Sequence, residues 1–209
     1  MKRALFVWGG WDGHTPKECV DVFAPWLTKQ GYQVEISNTL DAYADAERLK
    51  ALSLIVPVWT LGELTAEQEK ALCDAVAGGV GIAAWHGGAC DAFRGNTTYQ
   101  FMMGGQFVAH PGNLLPAWDV KIVDREHEIT RGISHFAMRD TERYYLHVDP
   151  GNHVLATTRF EDGFDMPVVW TRAWGRGRVA VASFGHTFND FDVPQAREIV
   201  QRAMLWASR

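Results

Sequence analysis

Cysteine is scarce in this chain of 209 residues: Cys19, Cys73 and Cys90 are the only three, and they are widely spaced. An odd, scattered set argues against a disulfide framework and offers no Cys-x-x-Cys metal knuckle. Long apolar runs are missing as well. After Met1-Lys2-Arg3 the run Ala4 to Trp8 stops at Gly9-Gly10. No stretch approaches the ~18 apolar residues of a membrane span, and no secretory h-region with a cleavage site is seen. The expectation is a cytoplasmic protein with no membrane partner. Basic excess is also absent, with 20 Lys and Arg against 25 Asp and Glu and a formal net charge of -5. The basic residues form no stripe to neutralise a phosphate backbone, so nucleic acid is not an expected partner. No linker, low-complexity segment or repeat divides residues 1–209, which read as one domain.

What is present is an ordinary globular balance, 47% hydrophobic and 22% charged, sufficient for one sizeable core. Aromatics reach 12% with nine Trp, several beside Gly or His, as in Trp8-Gly9-Gly10-Trp11 and Trp85-His86-Gly87-Gly88. Flat rings next to polar groups suit stacking on the C–H faces of a sugar, and Trp11 and Trp59 are the candidates; Trp206, on the last helix, suits the core.

The chain reads as alternating strands and helices up to about residue 85. Residues 4–8 form an apolar run stopped by two glycines, as a buried parallel strand would be. Thr15-Pro16-Lys17-Glu18 then supplies a capping hydroxyl, a proline at the first helical position and a Glu three residues on. Val20, Phe23, Ala24 and Leu27 follow at helical spacing, and Gly31 is the stop. Tyr32 to Ser37 alternates as a strand, Leu52 to Val58 and Val80 to Trp85 are buried strands, and Thr65-Ala66-Glu67-Gln68 opens another capped helix. This order predicts an α/β fold: a doubly wound, mostly parallel, flavodoxin-like sheet with ligands at the carboxyl ends of its strands. From 118 onward, 118–123, 142–148, 153–160, 167–174 and 178–184 read as strands, some pairing as antiparallel edge hairpins, before a closing helix over about 194–207.

Five of the eight histidines fall where strands end or loops begin: His14, His86, His110, His147 and His186. Loops at the carboxyl ends of parallel strands converge, so these imidazoles are expected to share a pocket. Ala84-Trp85-His86-Gly87-Gly88 has the form of a strand-to-helix elbow. In amidotransferases and hydrolases that turn carries Cys or Ser; here it carries His86, and Cys90 falls four residues too late.

Several short motifs, in one order, carry a family resemblance: the Gly-rich turn with His14, His86-Gly87-Gly88, Gly105-x-Phe107-x-x-His110-Pro111, Asp124-x-x-His127-x-Ile129-Thr130-x-Gly132, Glu142 with Tyr144-Tyr145, Pro167-x-x-Trp170, Gly175-Arg176-Gly177-Arg178-Val179, Gly185-His186 and Trp206-Ala207. Together they resemble the trehalose utilisation (ThuA-like) family over nearly the whole chain. The resemblance implies a class I glutamine amidotransferase-like fold without its cysteine, and a role in disaccharide catabolism through 3-keto-glycosides. Glu128 departs from the proline common in the family, and His147 stands where some members carry a carboxylate.

On these grounds the catalytic candidates are His86, Glu142 and Asp12. Those for substrate are His110, Trp11, Trp59 and Tyr145, with Tyr144 and Tyr145 on opposite faces of a strand so that at most one faces the site. The metal candidates are His14, His147 and His186, with His86 and Glu142 as further ligands; Zn or Mn would suit mixed imidazole and carboxylate donors, although no HExxH-type spacing is present. A metal-free site would use the same histidines to bind hydroxyls and move protons. No nucleotide cofactor is expected, the partner is a small carbohydrate, and a homo-oligomer is compatible with the sequence. The expected activity is elimination and hydration, net hydrolysis or isomerisation of a keto-glycoside. The competing readings are a non-catalytic sugar-binding protein and a cysteine-dependent amidotransferase or hydrolase.

Overall fold

A computed structural model describes all residues 1–209. Its framework is a nine-stranded sheet entered by β1 (Lys2–Gly10), β2 (Tyr32–Ser37), β3 (Leu54–Thr60), β4 (Gly81–Trp85) and β11 (Gly177–Ala182), which pair in parallel in the spatial order β2-β1-β3-β4-β11. Along β1, Ala4 and Phe6 point into one core cluster while Leu5 and Val7 point into another. A strand buried on both faces reads as a continuous apolar run, which is what residues 4–8 show. Full burial of one Leu or Phe contributes about 1.5–3 kcal/mol, and the two clusters hold 34 and 30 buried residues.

Helices cover both faces. α1 (Pro16–Lys29) and α6 (Pro194–Ala207) bury Val20, Phe23, Leu27, Ile199 and Met204 in the first cluster. α3 (Ala66–Ala77) and α5 (Thr97–Met103) bury Leu72, Val76, Tyr99 and Met103 in the second. Two short helices, α2 (Ala46–Lys50) and α4 (His86–Cys90), complete the set. The capping box foreseen at Thr65 is present, Gln68 N–H donating to Thr65 Oγ1 and Thr65 N–H to Gln68 Oε1. At Thr15 it is not: the helix starts at Pro16 as expected, but Thr15 adopts φ 45° and its hydroxyl instead accepts from Phe188 N–H at 3.0 Å. The same hydroxyl lies 4.0 Å from Cys19 Sγ in α1, so it ties the start of that helix to the loop after β11.

The second half of the sheet corrects the sequence reading. β10 (Asp165–Trp174), β9 (His153–Arg159), β6 (Leu114–Ile122) and β7 (Phe136–Glu142) extend it from β11, every pairing antiparallel. The sheet is therefore mixed, with as many antiparallel pairings as parallel ones, rather than mostly parallel with edge hairpins. Short connections such as Gly175-Arg176 between β10 and β11 leave no room for a crossover helix, so these strands must reverse. A strand expected over 142–148 is two strands: β7 ends at Glu142, and β8 (Tyr145–Val148) leaves the sheet to pair with β5 (Gly105–Ala109) as a separate ribbon. No helix is long and apolar enough to cross a membrane.

Candidate active site

The parallel strands deliver their carboxyl ends to one place. The chain turns one way after β1 and the other way after β3, which opens a crevice between those strands. A single 3-10 turn after β1, Asp12–His14, buries His14 there. Thr60 closes β3 and places its Oγ1 2.7 Å from His14 Nδ1. His86 follows β4 directly, at φ 43°, the left-handed turn expected of an elbow. Gly87 lets it pass: a Cβ there would lie 2.2 Å from Thr60 Oγ1 and 2.5 Å from His14 Nδ1. Beyond β11, Gly185 and His186 N–H both donate to the buried carboxylate of Asp190, which also accepts from Thr141 Oγ1 and so fixes the turn that carries His186.

Glu142, at the break between β7 and β8, is the hub. His14 Nε2 and His86 Nε2 stand 3.9 and 3.1 Å from its Oε2, and His110 Nε2 and His186 Nε2 stand 3.8 and 3.6 Å from its Oε1. Each carboxylate oxygen thus faces two imidazoles. Burial disfavours the charged form of Glu142, yet the hydrogen bond shared with His86 and the favourable potential of the His86, His186 and His110 imidazoles outweigh it and hold the carboxyl below its usual range. Burial, followed by the neighbouring imidazoles His86, His186 and His110, lowers His14 to about 2, and burial and His86 lower His186. Both rings are neutral at neutral pH.

Hydrogen bonding fixes the tautomer of His86. Its Nδ1 lies 3.0 Å from the carbonyl oxygen of Ser183, which only accepts, so Nδ1 carries the proton. In the neutral ring Nε2 then turns a lone pair toward a carboxylate oxygen 3.1 Å away. Two lone pairs at that distance require a cation between them, either a proton or a metal ion. His14 Nε2 beside them is buried with no hydrogen-bond partner. The ligand atoms of His14, His86 and Glu142 all lie within 4.8 Å of one another; donors ~2.1 Å from a shared tetrahedral ion lie roughly 3.4 Å apart.

A cavity of about 220 Å³ opens onto this cluster, lined by Trp11, His14, Asp91, Arg94, Glu142 and Tyr144 among others. A larger cleft of about 600 Å³ lies across β6, β7, β9 and β10, away from the histidine cluster. Its lining mixes Val120, Phe136 and Ala137 with charged side chains, of which Arg159 pairs with Asp165 at 3.2 Å, and it holds none of the clustered imidazoles, so the smaller cavity is where the candidate reactive groups converge.

His14, His86, His110, His186, Glu142 and Trp11 are therefore brought together. Trp11 is half exposed at the rim, edge-on to His14. Four other candidates lie elsewhere. Asp12 is exposed in its turn and does not line the cavity. His147 is exposed on the β5–β8 ribbon beside Gln106 and does not join His14 and His186, because the break after Glu142 carries β8 away from the sheet. Tyr145 packs on Phe160 and Phe164, and Tyr144 takes the place toward the site, stacked on His86 with ring centroids 3.9 Å apart. Trp59 is wedged between Gly9 and Gly62, where a Cβ at either would lie 2.6 Å from its ring. Cys90 is fully buried, and burial pushes its thiol far above the ordinary range. A nucleophilic cysteine is excluded at this elbow.

Over residues 3–207 the chain matches the family described as ThuA, trehalose utilisation. The chain belongs to that family. No curated protein matches it. Among solved structures, a ThuA-like protein from Bacteroides uniformis is similar with a TM-score of 0.80 at 19% identity, covering 99% of this chain and 91% of that one. A ThuA-like protein from Parabacteroides merdae gives 0.77 at 14%, covering 99% and 89%. A cytoplasmic protein from Salmonella typhimurium gives 0.68 at 12%, covering 99% and 100%. At these identities the likeness is one of fold.

Sequence reasoning missed Thr60, Asp91, Arg94 and Asp190 in this ThuA site. Thr60 reaches His14, and Asp190 reaches Thr141, through contacts distant in sequence that no local spacing records. A further signal is conformational. All six non-glycine residues with positive φ lie within three positions of a site residue: Thr15, Leu61, His86, Phe93, Asn113 and Asp140. Left-handed backbone costs about 1–3 kcal/mol per residue and persists where surrounding structure holds it.

Proposed function

We propose that this ThuA family member is a carbohydrate-catabolic enzyme that acts on a 3-keto-glycoside, with His14, His86 and Glu142 holding a divalent metal ion such as Zn or Mn. The carrying observation is His14 Nε2, buried without a hydrogen-bond partner beside the 3.1 Å contact of His86 Nε2 with Glu142 Oε2, where His86, its Nδ1 proton given to Ser183 O, calls for a proton or a metal ion on Nε2. The large majority of buried side-chain polar atoms are hydrogen-bonded, so an unpartnered Nε2 in this cluster calls for an explanation. The ion would supply an electrophile for a ketone or enolate oxygen.

The chain's own residues supply the rest. A ketone at C3 acidifies the proton at C2. His110, which lines the cavity with its side chain about a third exposed, removes that proton as base. The C2–H electrons form the enolate, and its collapse breaks the C1–O bond as the departing oxygen takes a proton. Water then adds across the resulting double bond, completing a net hydrolysis. Neutral His186 sits where it can pass a proton through Glu142, and Asp190 positions it. Tyr144, stacked on His86, shields the cluster from solvent.

Elemental analysis of untagged protein, paired with turnover of 3-keto-trehalose before and after chelation, tests this reading. One equivalent of metal is expected, with activity lost on chelation and restored by Zn or Mn. Glu142→Gln should abolish metal binding and lower kcat by ~100-fold or more while the protein stays folded. Absence of metal together with full activity would remove the ion from the site. Tight sugar binding without turnover of any keto-glycoside would leave a sugar-binding protein.

A further inference from the structure

One wall of the 220 Å³ cavity is built from a pair that the histidine cluster does not use. Asp91 is buried and Arg94 half exposed, and both line the cavity. Arg94 Nε donates to Asp91 Oδ1 at 2.5 Å, and no other protein hydrogen bond reaches that carboxylate. The guanidinium lies over the Phe107 ring at 4.9 Å. Of its five N–H donors one is used, so four remain, beside an acceptor oxygen on Asp91 that is also free.

The backbone around the pair is held in place at a cost. Leu61 N–H donates to Asp91 O and Phe93 N–H to Leu61 O, and both Leu61 and Phe93 are left-handed, at φ 61° and 50°. These two backbone bonds tie the end of β3 to the segment that carries Asp91 and Arg94 along the cavity wall. A surface ion pair formed only for stability does not require strain on both sides of it.

We propose that Asp91 and Arg94 are a specificity clamp for vicinal hydroxyls: Asp91 Oδ2 accepts from one hydroxyl of a pyranose ring and Arg94 donates to its neighbour, with the Trp11 indole as a platform at the rim. The cavity matches a single ring. Its 220 Å³ is the room of roughly seven water molecules at ~30 Å³ each, and it falls below the roughly 300 Å³ at which pockets for larger ligands begin. One sugar of a disaccharide is therefore gripped and read, while the aglycone or second sugar lies outside the clamp. The inference deepens the glycoside reading above and rests on it.

Titration calorimetry with methyl glucoside, its 3-keto form and their mono-deoxy analogues tests the clamp on the full chain. The native protein should bind the parent sugar about tenfold or more tightly than the analogue lacking a clamped hydroxyl, the scale of one hydrogen bond to a charged group. Arg94→Met should lose that preference and raise KM about tenfold, with kcat at saturation changed only a few-fold. Arg94→Lys, which keeps the charge but not the fork, should not restore it. Asp91→Asn should behave like Arg94→Met; because Asp91 is buried, the half-exposed Arg94 carries the test if that variant fails to fold. Native affinity and hydroxyl preference in folded Arg94→Met would overturn the clamp, as would a native protein that binds none of these sugars. Arg94-dependent sugar binding without turnover would keep the clamp and sink the enzyme reading. Turnover indifferent to Arg94 would do the reverse.

Discussion

At the scale of the residue, the site depends on what is missing as much as on what is present. Gly87 has no side chain, and its open space is filled by Thr60 Oγ1 and His14 Nδ1. Gly87→Ala would push a methyl into both, within the polar contact that orients His14. Overpacking of this kind costs about 1–3 kcal/mol, which for a chain of this size lowers Tm by roughly 2–12 °C. The loss of activity should exceed what the unfolded fraction explains, because the displaced group is His14 itself. Thermal melts and turnover measured on one preparation check this, and equal retention of both would show that the close approach is not required.

At the scale of the element, the break between β7 and β8 does most to build the site. Arg143 holds it. Its buried guanidinium lies over Phe160 at 4.1 Å and donates to Arg159 O and to both carboxylate oxygens of Glu161. Glu142 and Tyr144 flank it and are thereby directed at the cluster. Arg143→Ala should cost about 2 kcal/mol through lost packing and cation–π attraction, and it should weaken the proposed metal and sugar binding together because Glu142 loses its support. Glu161 is largely exposed, so Glu161→Gln should leave both Tm and activity at native values. If the two variants lost activity equally, the ion pair rather than the buried arginine would be the organising contact.

At the scale of the whole molecule, the buried histidines couple stability to pH. His14 is lowered from 6.5 to about 2 and His186 is lowered as well, so the unfolded chain takes up protons near pH 6.5 that the folded one refuses. The unfolded state binds more protons in that window, and stability therefore rises with pH through it and falls on acidification. His14 alone accounts for about 2 kcal/mol of loss by about pH 5, at ~1.36 kcal/mol per unit. Glu142, held below its usual range, adds a contribution of the same sign that disappears as pH drops through its folded value. Denaturant melts between about pH 7 and 5 should show the decline, and His14→Gln should flatten it. A flat profile in the native protein would mean that His14 is protonated in the fold.

The sequence by itself determined the parallel half of the sheet, the helices around it and the elbow at His86. Apolar runs, capping residues and glycine stops are local signals, and their spacing is readable before folding. The histidines at strand ends were legible for the same reason, since a strand end near a turn is visible in the chain, whereas Glu142 entered through the family resemblance and its place at a strand break was not visible. Tertiary structure alone decided which of those histidines meet. His147 and Tyr145 satisfied the same local rule as His186 and Tyr144, but the break after Glu142 turned β8 out of the sheet, a matter of pairing between strands distant in sequence. Thr60, Asp91, Arg94 and Asp190 reach the site by side-chain contacts and backbone bonds to segments far along the chain or by left-handed backbone at non-glycine positions. Neither leaves a pattern in local spacing, because the energy that holds them is supplied by the rest of the fold.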